Sequence, residues 1–265
     1  MNPWISGTAN PQAEARLFCF PFAGGGTLIY RDWHGQLPAR IEPRPVRLPG
    51  REGRFQESCY RDAIPLARAL ASGLSPYLDL PFAFFGHSVG ALLAFELARE
   101  LRRQGGPEPF CLMVSGRRAP QIPLSRRPLY NLPTPALIRE LRNYGGTPEI
   151  VLREQELMAL FLPVIRADFA INETYRHIPE TPLDCPICAF GGETDPMASE
   201  AELDAWRQQT TGGFTRQMFP GDHFYLNGPG KPPLMHALAM EFEASMPNID
   251  SQPTEEIQPK RPIDN

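Results

Sequence analysis

The sequence predicts an α/β fold built on a mainly parallel central sheet with flanking helices. Short apolar runs alternate along the chain with longer amphipathic segments, and 42% of the 265 residues are hydrophobic. Alternation of this kind is typical of βαβ units, in which a crossover helix joins two parallel strands. The apolar content is sufficient for one large core.

Individual segments can be assigned from their hydrophobic periodicity. The predicted strands are Leu17–Phe20, Pro43–Arg47, Pro81–Phe85, Phe110–Ser115, Pro186–Phe190 and Thr215–Phe219. The predicted helices include Tyr60–Leu74, Val89–Arg103, Glu200–Gln209 and Pro233–Ala244. In the second of these, apolar residues recur at helical spacing and form one broad face.

The stretch Ser125–His177 interrupts this alternation, because it contains amphipathic helical segments and no strand. Helices inserted between two strands of such a sheet often cover an active site, so we expect a helical cap there, with mere decoration as the alternative. Residues 1–246 are then predicted to form a single domain. The polar, proline-bearing segment from Pro247 to residue 265 has little to bury and is predicted to be disordered.

Charge and composition exclude several classes of function. A net charge of −4 supplies no basic field for nucleic acid or an anionic membrane. The N-terminus lacks the pattern of a secretory signal, and no stretch approaches the roughly 20 apolar residues that cross a bilayer, so we expect a cytoplasmic protein. Without a heptad pattern or a long exposed apolar helix, we expect a monomer. Cys185 and Cys188 have the spacing of a redox motif, but they lie in an apolar run and do not open a helix. A zinc site would need a second ligand pair, which the sequence lacks, so neither a redox nor a metal site is predicted.

The segment Gly86-His87-Ser88-Val89-Gly90 joins a predicted strand to a predicted helix. A sharp turn of the form Gly-x-Ser-x-Gly in this context is the nucleophile elbow of the α/β-hydrolase fold, where a strained backbone presents the serine above the sheet. The flanking glycines allow the neighbouring strand and helix to approach. The sequence therefore predicts an α/β-hydrolase fold with Ser88 as the nucleophile.

A serine nucleophile needs a base to accept its proton, and in this fold the base is a histidine late in the chain. His223 lies in a loop after the last predicted strand and is the candidate. His177 precedes the strand that should carry the acid, and His236 lies within an amphipathic helix.

The base must in turn be oriented by a carboxylate that lies between the serine and the histidine in sequence. Asp195, in Gly-Gly-Glu-Thr-Asp-Pro after the strand Pro186–Phe190, is the candidate acid. Glu193 and Asp222 are the alternatives.

The oxyanion of a tetrahedral intermediate needs two backbone N–H donors. Val89, directly after the nucleophile, should supply one. The glycine-rich turn after the first strand should supply the other, from Ala23 or, as the alternative, from Phe22. This turn lacks the Lys and Ser/Thr of a phosphate-binding loop, so no nucleotide cofactor is predicted.

Taken together, these motifs resemble the type II thioesterases associated with non-ribosomal peptide and polyketide synthases. The resemblance spans roughly Arg16 to Glu241. It includes FPFAGGG, RLPGREGR, FFGHSVGALLAFELA, LPTPALIRELRNYGGTPEIVL, LFLPVIRADF, GGETDP and GDHFYL. Agreement within the insertion is informative, since a generic hydrolase has no reason to share it. The family commonly has a histidine where this chain has Phe22, which predicts an altered pocket mouth.

The resemblance implies hydrolysis of acyl thioesters carried on the phosphopantetheine arm of an acyl or peptidyl carrier protein, without a cofactor. The usual role of this family is to clear stalled or misloaded acyl groups from a synthase. Ser88 would attack the thioester carbonyl, and water activated by His223 would then cleave the acyl-serine.

Three alternatives remain open: a general carboxylesterase or lipase, an acyltransferase that uses the same serine, and a catalytically silent carrier-binding protein. The arginines at 117, 118, 126 and 127 are expected to lie in an ordinary solvated loop, with contact to an acidic carrier as the alternative.

Overall fold

The centre of the molecule is a six-stranded sheet in which all paired strands are parallel, as predicted. A computed structural model of the chain describes residues 3–7 and 9–247. The strands are β1 (Ala15–Phe20), β2 (Ile41–Pro45), β3 (Phe82–His87), β4 (Leu112–Ser115), β5 (Ile187–Gly192) and β6 (Phe214–Phe219), in the spatial order β2-β1-β3-β4-β5-β6.

Each predicted strand is present, with bounds shifted by a residue or two. Strands β3 and β5 begin directly after Pro81 and Pro186, because proline has no N–H to donate to the ladder. Pro43 and Pro45 are tolerated in β2 because it is an edge strand of the sheet.

The crossovers supply the helices that cover this sheet. They are α1 (Ala63–Leu74), α2 (Val89–Arg103), α3 (Thr134–Tyr144), α4 (Glu149–Arg153), α5 (Gln155–Thr174), α6 (Glu200–Asp204) and α7 (Lys231–Ser245). Helix α2 has the predicted bounds. Helix α1 begins later than expected because Asp62 caps it, accepting the N–H of Ile64 at 3.0 Å.

The predicted helix Glu200–Gln209 was wrong in its second half, where a 3₁₀ segment from Ala205 to Gln209 follows α6. Trp206 is completely buried and its indole N–H donates to the carbonyl of Arg117 at 2.8 Å. In a 3₁₀ helix residues three apart share a face, so the tighter turn buries Trp206 and Gln209 together.

The sheet separates two hydrophobic cores. Alternate residues of each strand face opposite sides, so Phe18 packs against α1 and α2 while Leu17 packs against α7. The larger core lies beneath α2, which is buried along most of its length. This double layer fixes the carboxyl ends of β3, β4 and β5 side by side.

Helices α3, α4 and α5 lie between β4 and β5, within the predicted insertion, and have a small core of their own formed by residues such as Leu137, Leu152 and Phe169. The segment predicted to be disordered lies outside the described residues, except for Pro247. Among the described helices, none combines the length and apolarity needed to cross a membrane.

Candidate active site

Ser88 occupies the turn between β3 and α2 in a strained conformation, with φ 56° and ψ −119°. Among the described residues other than glycine, positive φ occurs at Ser88 and Glu52. The turn is held to β4 by the Ser88 N–H, which donates to the carbonyl of Ser115 at 2.8 Å. Strain of this kind persists only where the surrounding structure imposes it.

The glycines of the elbow are required by close backbone approach. A Cβ placed on Gly86 would lie 2.2 Å from the carbonyl oxygen of Gly90, and one placed on Gly90 would lie 2.2 Å from that of Phe20. Because both positions lack a side chain, β1, β3 and α2 can meet directly behind Ser88.

Two other predicted site residues are in direct contact. Nδ1 of His223 lies 2.8 Å from Oδ2 of Asp195, and the Asp195 side chain is fully buried. The second oxygen of Asp195 accepts the N–H of Met197 at 2.7 Å. The alternative acids are placed differently: Glu193 is exposed, and Asp222 accepts the N–H of Phe224 in its own loop.

His87, the residue before Ser88, is completely buried beneath His223, with 4.9 Å between the two ring centroids. Its Nδ1 lies 2.7 Å from Oγ of Ser115, which in turn lies 2.5 Å from the hydroxyl of Tyr225. Burial, and secondarily the nearby His223, lowers the pKa of His87 well below its usual value. The imidazole is therefore held neutral, as a polar support under His223.

Ser88 and His223 line one small apolar cavity of about 30 Å³, enough for about two water molecules. Its other lining residues are Phe22, Ala23, Leu141, Tyr144, Gly146, Thr147, Phe169, Asn172, Met197 and Phe224. Several of them belong to α3, α5 and the connection after α3, so the insertion closes over the serine. Gly146 lies so close to Phe224 that a Cβ there would be 2.1 Å from the ring.

Ala23, the predicted second oxyanion donor, lines the same cavity as Ser88. Its neighbour Gly24 has φ +75° and donates its N–H to Oδ2 of Asp168 at 2.8 Å. Asp168 belongs to α5 and is also paired with Arg51 at 2.8 Å. The sequence motifs gave no role to Arg51 or Asp168, because both motifs contain other charged residues and nothing in the sequence pairs these two.

Arg117 does not belong with the other candidate docking arginines. Only 4% of it is exposed, and burial lowers its pKa to about 9. Its guanidinium donates to the side-chain oxygen of Asn172, which lines the cavity. Arg126 and Arg127 are exposed and Arg118 is half-buried.

Comparison with known proteins identifies the family. The family model described as a thioesterase domain matches residues 15–240, most of the chain. The chain belongs to the thioesterase family. As a member, it is a thioester hydrolase.

The relatives of this thioesterase agree with the resemblance drawn from its motifs. The gramicidin S biosynthesis protein GrsT of Aneurinibacillus migulanus is 43% identical over 227 residues, 85% of this chain and 89% of that protein. The structure of RedJ, a thioesterase of the prodiginine pathway in Streptomyces coelicolor, is 42% identical, with a TM-score of 0.83 over 88% of this chain and 92% of that one.

A third similar structure is YbtT, a type II thioesterase of the yersiniabactin non-ribosomal peptide and polyketide pathway. It is 32% identical, with a TM-score of 0.81 over 91% of this chain and 97% of that one. These likenesses confirm the predicted α/β-hydrolase fold and the predicted similarity to type II thioesterases of such pathways.

Proposed function

We propose that this thioesterase hydrolyses acyl thioesters carried on the phosphopantetheine arm of a carrier protein, and so clears stalled or misloaded acyl groups from a biosynthetic synthase. The observation that carries the proposal is that one cavity beneath the insertion is lined both by Ser88, with its strained backbone, and by His223, whose Nδ1 is bonded to Asp195. The pathways named for RedJ and YbtT support the substrate class.

In the proposed mechanism, Asp195 accepts a hydrogen bond from the Nδ1–H of His223. This leaves Nε2 free to take the proton of Ser88. The Ser88 oxygen attacks the thioester carbonyl. The C–S bond then breaks, and the leaving thiolate takes the proton from His223. Water deprotonated by His223 attacks the acyl-serine, releasing the acid and regenerating Ser88.

We assign the two oxyanion donors to the N–H groups of Val89 and Ala23. Val89 is the first residue of α2, so its N–H has no partner within the helix, and the positive end of the helix dipole points the same way. Ala23 lies in the loop after β1 and lines the same cavity as Ser88.

The insertion is proposed to act as a lid. The cavity of about 30 Å³ at Ser88 shares Phe22 and Gly146 with a cleft of about 100 Å³, and His223 with another of about 250 Å³. Because α3 and the connection after it narrow the space between these clefts, they are the parts that would move when substrate enters. A path toward the surface is present: Tyr144 and Met197 line both the Ser88 cavity and two neighbouring clefts, in which Arg126 also lies.

The experiment that tests this function compares acyl groups loaded on a phosphopantetheinylated carrier protein with matched oxygen esters, with Ser88→Ala as control. Fast release from the carrier that is lost in Ser88→Ala is the expected result. Preference for the free ester would indicate a carboxylesterase, and transfer of the acyl group to an added thiol or alcohol would indicate an acyltransferase. Unchanged turnover in Ser88→Ala would exclude the serine mechanism.

A further inference from the structure

A buried ion pair joins the loop after β2 to the insertion. Nη1 and Nη2 of Arg51 donate to the two carboxylate oxygens of Asp168, at 2.9 and 2.8 Å. The Arg51 side chain is 8% exposed and that of Asp168 is 3% exposed. Burying two charges is costly, and a bidentate geometry with additional hydrogen bonds is what offsets that cost.

The additional hydrogen bonds go to the glycine-rich loop that carries Ala23. Oδ2 of Asp168 accepts the Gly24 N–H at 2.8 Å, and Nη1 of Arg51 donates to the Gly25 carbonyl at 2.8 Å. Gly24 also packs against Ile165, three residues before Asp168 on α5. The ion pair therefore holds the Ala23–Gly24 and Gly25–Gly26 peptide groups, which flank the Gly24–Gly25 peptide of this loop.

Fixing these peptides limits the conformation of Ala23. The peptide between Ala23 and Gly24 is planar, so its N–H on Asp168 determines the direction of the Ala23 carbonyl. Gly24 has φ +75°, which is kept without strain because it is glycine. The Ala23 N–H itself belongs to the preceding peptide, whose Phe22 carbonyl accepts the Gly25 N–H at 2.9 Å. The ion pair therefore acts on the Ala23 N–H through this turn, which it anchors at Gly24 and Gly25.

The far end of the same loop is held by the residue next to Arg51. A carboxylate oxygen of Glu52 accepts the Thr27 N–H at 2.7 Å, and Glu52 also pairs with Arg47 at 3.1 Å. Glu52 has φ +49°, a strained value for a residue with a side chain. The segment Arg47–Arg54 thus binds the glycine-rich loop at two points, through Arg51 at Gly25 and through Glu52 at Thr27.

We propose that Arg51 and Asp168 are positioning residues for the hydrolysis: their ion pair orients the Ala23 N–H as an oxyanion donor and makes this orientation depend on the seating of α5. The inference rests on the proposed function. Since Asp168 belongs to the insertion, displacement of α5 removes the acceptor of the Gly24 N–H and releases the loop. The full oxyanion site is then assembled only while α5 is seated against this loop.

The test compares Arg51→Met with Arg99→Met, which breaks another buried ion pair, Arg99–Glu96, on α2 away from the loop. Both variants are expected to lower Tm. Only Arg51→Met is expected to lower kcat, by about 10- to 100-fold on an acyl-pantetheine thioester. The reason is that a misplaced Ala23 N–H stabilises the oxyanion of the transition state less well. KM should stay near the wild-type value, as for an interaction made only in the transition state.

A second comparison uses Asp168→Asn and Asp168→Leu. The asparagine retains an oxygen for the Gly24 N–H, whereas the leucine does not, so the asparagine variant should keep more of the wild-type kcat. The proposal would be overturned if Arg51→Met had the kcat of the wild type. It would also be overturned if Arg99→Met lost as much kcat as Arg51→Met for the same decrease in Tm. Ser88→Ala separates the proposed hydrolysis from the positioning role of Arg51. If Ser88→Ala is inactive and Arg51→Met is fully active, the proposed function stands and only the positioning role is excluded.

Discussion

Asp195 and His223 are joined through Nδ1 of the imidazole, at 2.8 Å from a carboxylate oxygen that is fully buried. Because a carboxylate can only accept, the proton of the neutral ring lies on Nδ1 and the lone pair on Nε2. The other oxygen of Asp195 is satisfied by the Met197 N–H, so the carboxylate is held in place from two sides.

Asp195→Asn should lower kcat by about 10³- to 10⁴-fold, because an amide of the same shape can donate to Nδ1 and favour the wrong tautomer. Tm should change little in comparison. The measurement is kcat on a carrier-bound acyl thioester, with the exposed Glu193→Gln as the matched control. A similar loss in both variants would contradict the assignment of Asp195.

Gly90→Ala should destabilise the folded protein by about 3 kcal/mol, since the new Cβ would lie 2.2 Å from the carbonyl oxygen of Phe20 and β1 cannot retreat without disturbing the sheet. Chemical denaturation measures the change. Gly35→Ala is the control, because no atom lies within 4 Å of a Cβ there. If the two variants unfold at the same denaturant concentration, close approach is not the reason for glycine at position 90.

The parallel sheet was predictable because its four inner strands, β1, β3, β4 and β5, are buried on both faces and therefore appear as mainly apolar runs. The predicted helix at Glu200–Gln209 failed in its second half for a tertiary reason. The hydrogen bond from Trp206 to the Arg117 carbonyl tightens the chain there, and no local pattern reports it.

The site was predictable where its chemistry is tied to chain order, as for Ser88 and His223. The contact between Asp168 and the Gly24 N–H was not, because 144 residues separate the two partners. Arg117 was a candidate for carrier contact or for a solvated loop, and its burial excludes both. It follows β4 directly and is buried, which periodicity does not show.

The stability of the protein should fall as the pH is lowered from about 7 to 5, partly because of His87. Its pKa is depressed in the folded state, so below about pH 6.5 the unfolded chain binds a proton that the folded chain does not. The free energy of unfolding should therefore decrease by up to about 1.4 kcal/mol per pH unit from this group.

His87→Asn should flatten that decrease, since it removes the titrating group while keeping a polar side chain beside Ser115. The measurement is the free energy of unfolding by urea at several pH values. His236→Asn, at an exposed position on α7, serves as the control and should leave the slope as in the wild type. An unchanged slope in His87→Asn would show that other groups cause the acid sensitivity.

The double variant Arg126→Gln/Arg127→Gln should raise KM for a carrier-bound acyl thioester by about 3- to 10-fold and leave kcat nearly unchanged, because exposed charges at the rim of an interface act mainly on association. Arg126 lines the clefts that lead from the Ser88 cavity to the surface, where an anionic phosphopantetheine arm would enter. KM for the same acyl group on free pantetheine, which carries no phosphate, should not change, and the carrier effect should shrink with added salt. Arg153→Gln, at an exposed arginine of α4 paired with Glu149 at 2.8 Å, is the matched control. If the double variant and the wild type have equal KM values for carrier-bound substrate, the docking surface lies elsewhere. If KM rises equally for the carrier-free substrate, these arginines belong to the acyl pocket.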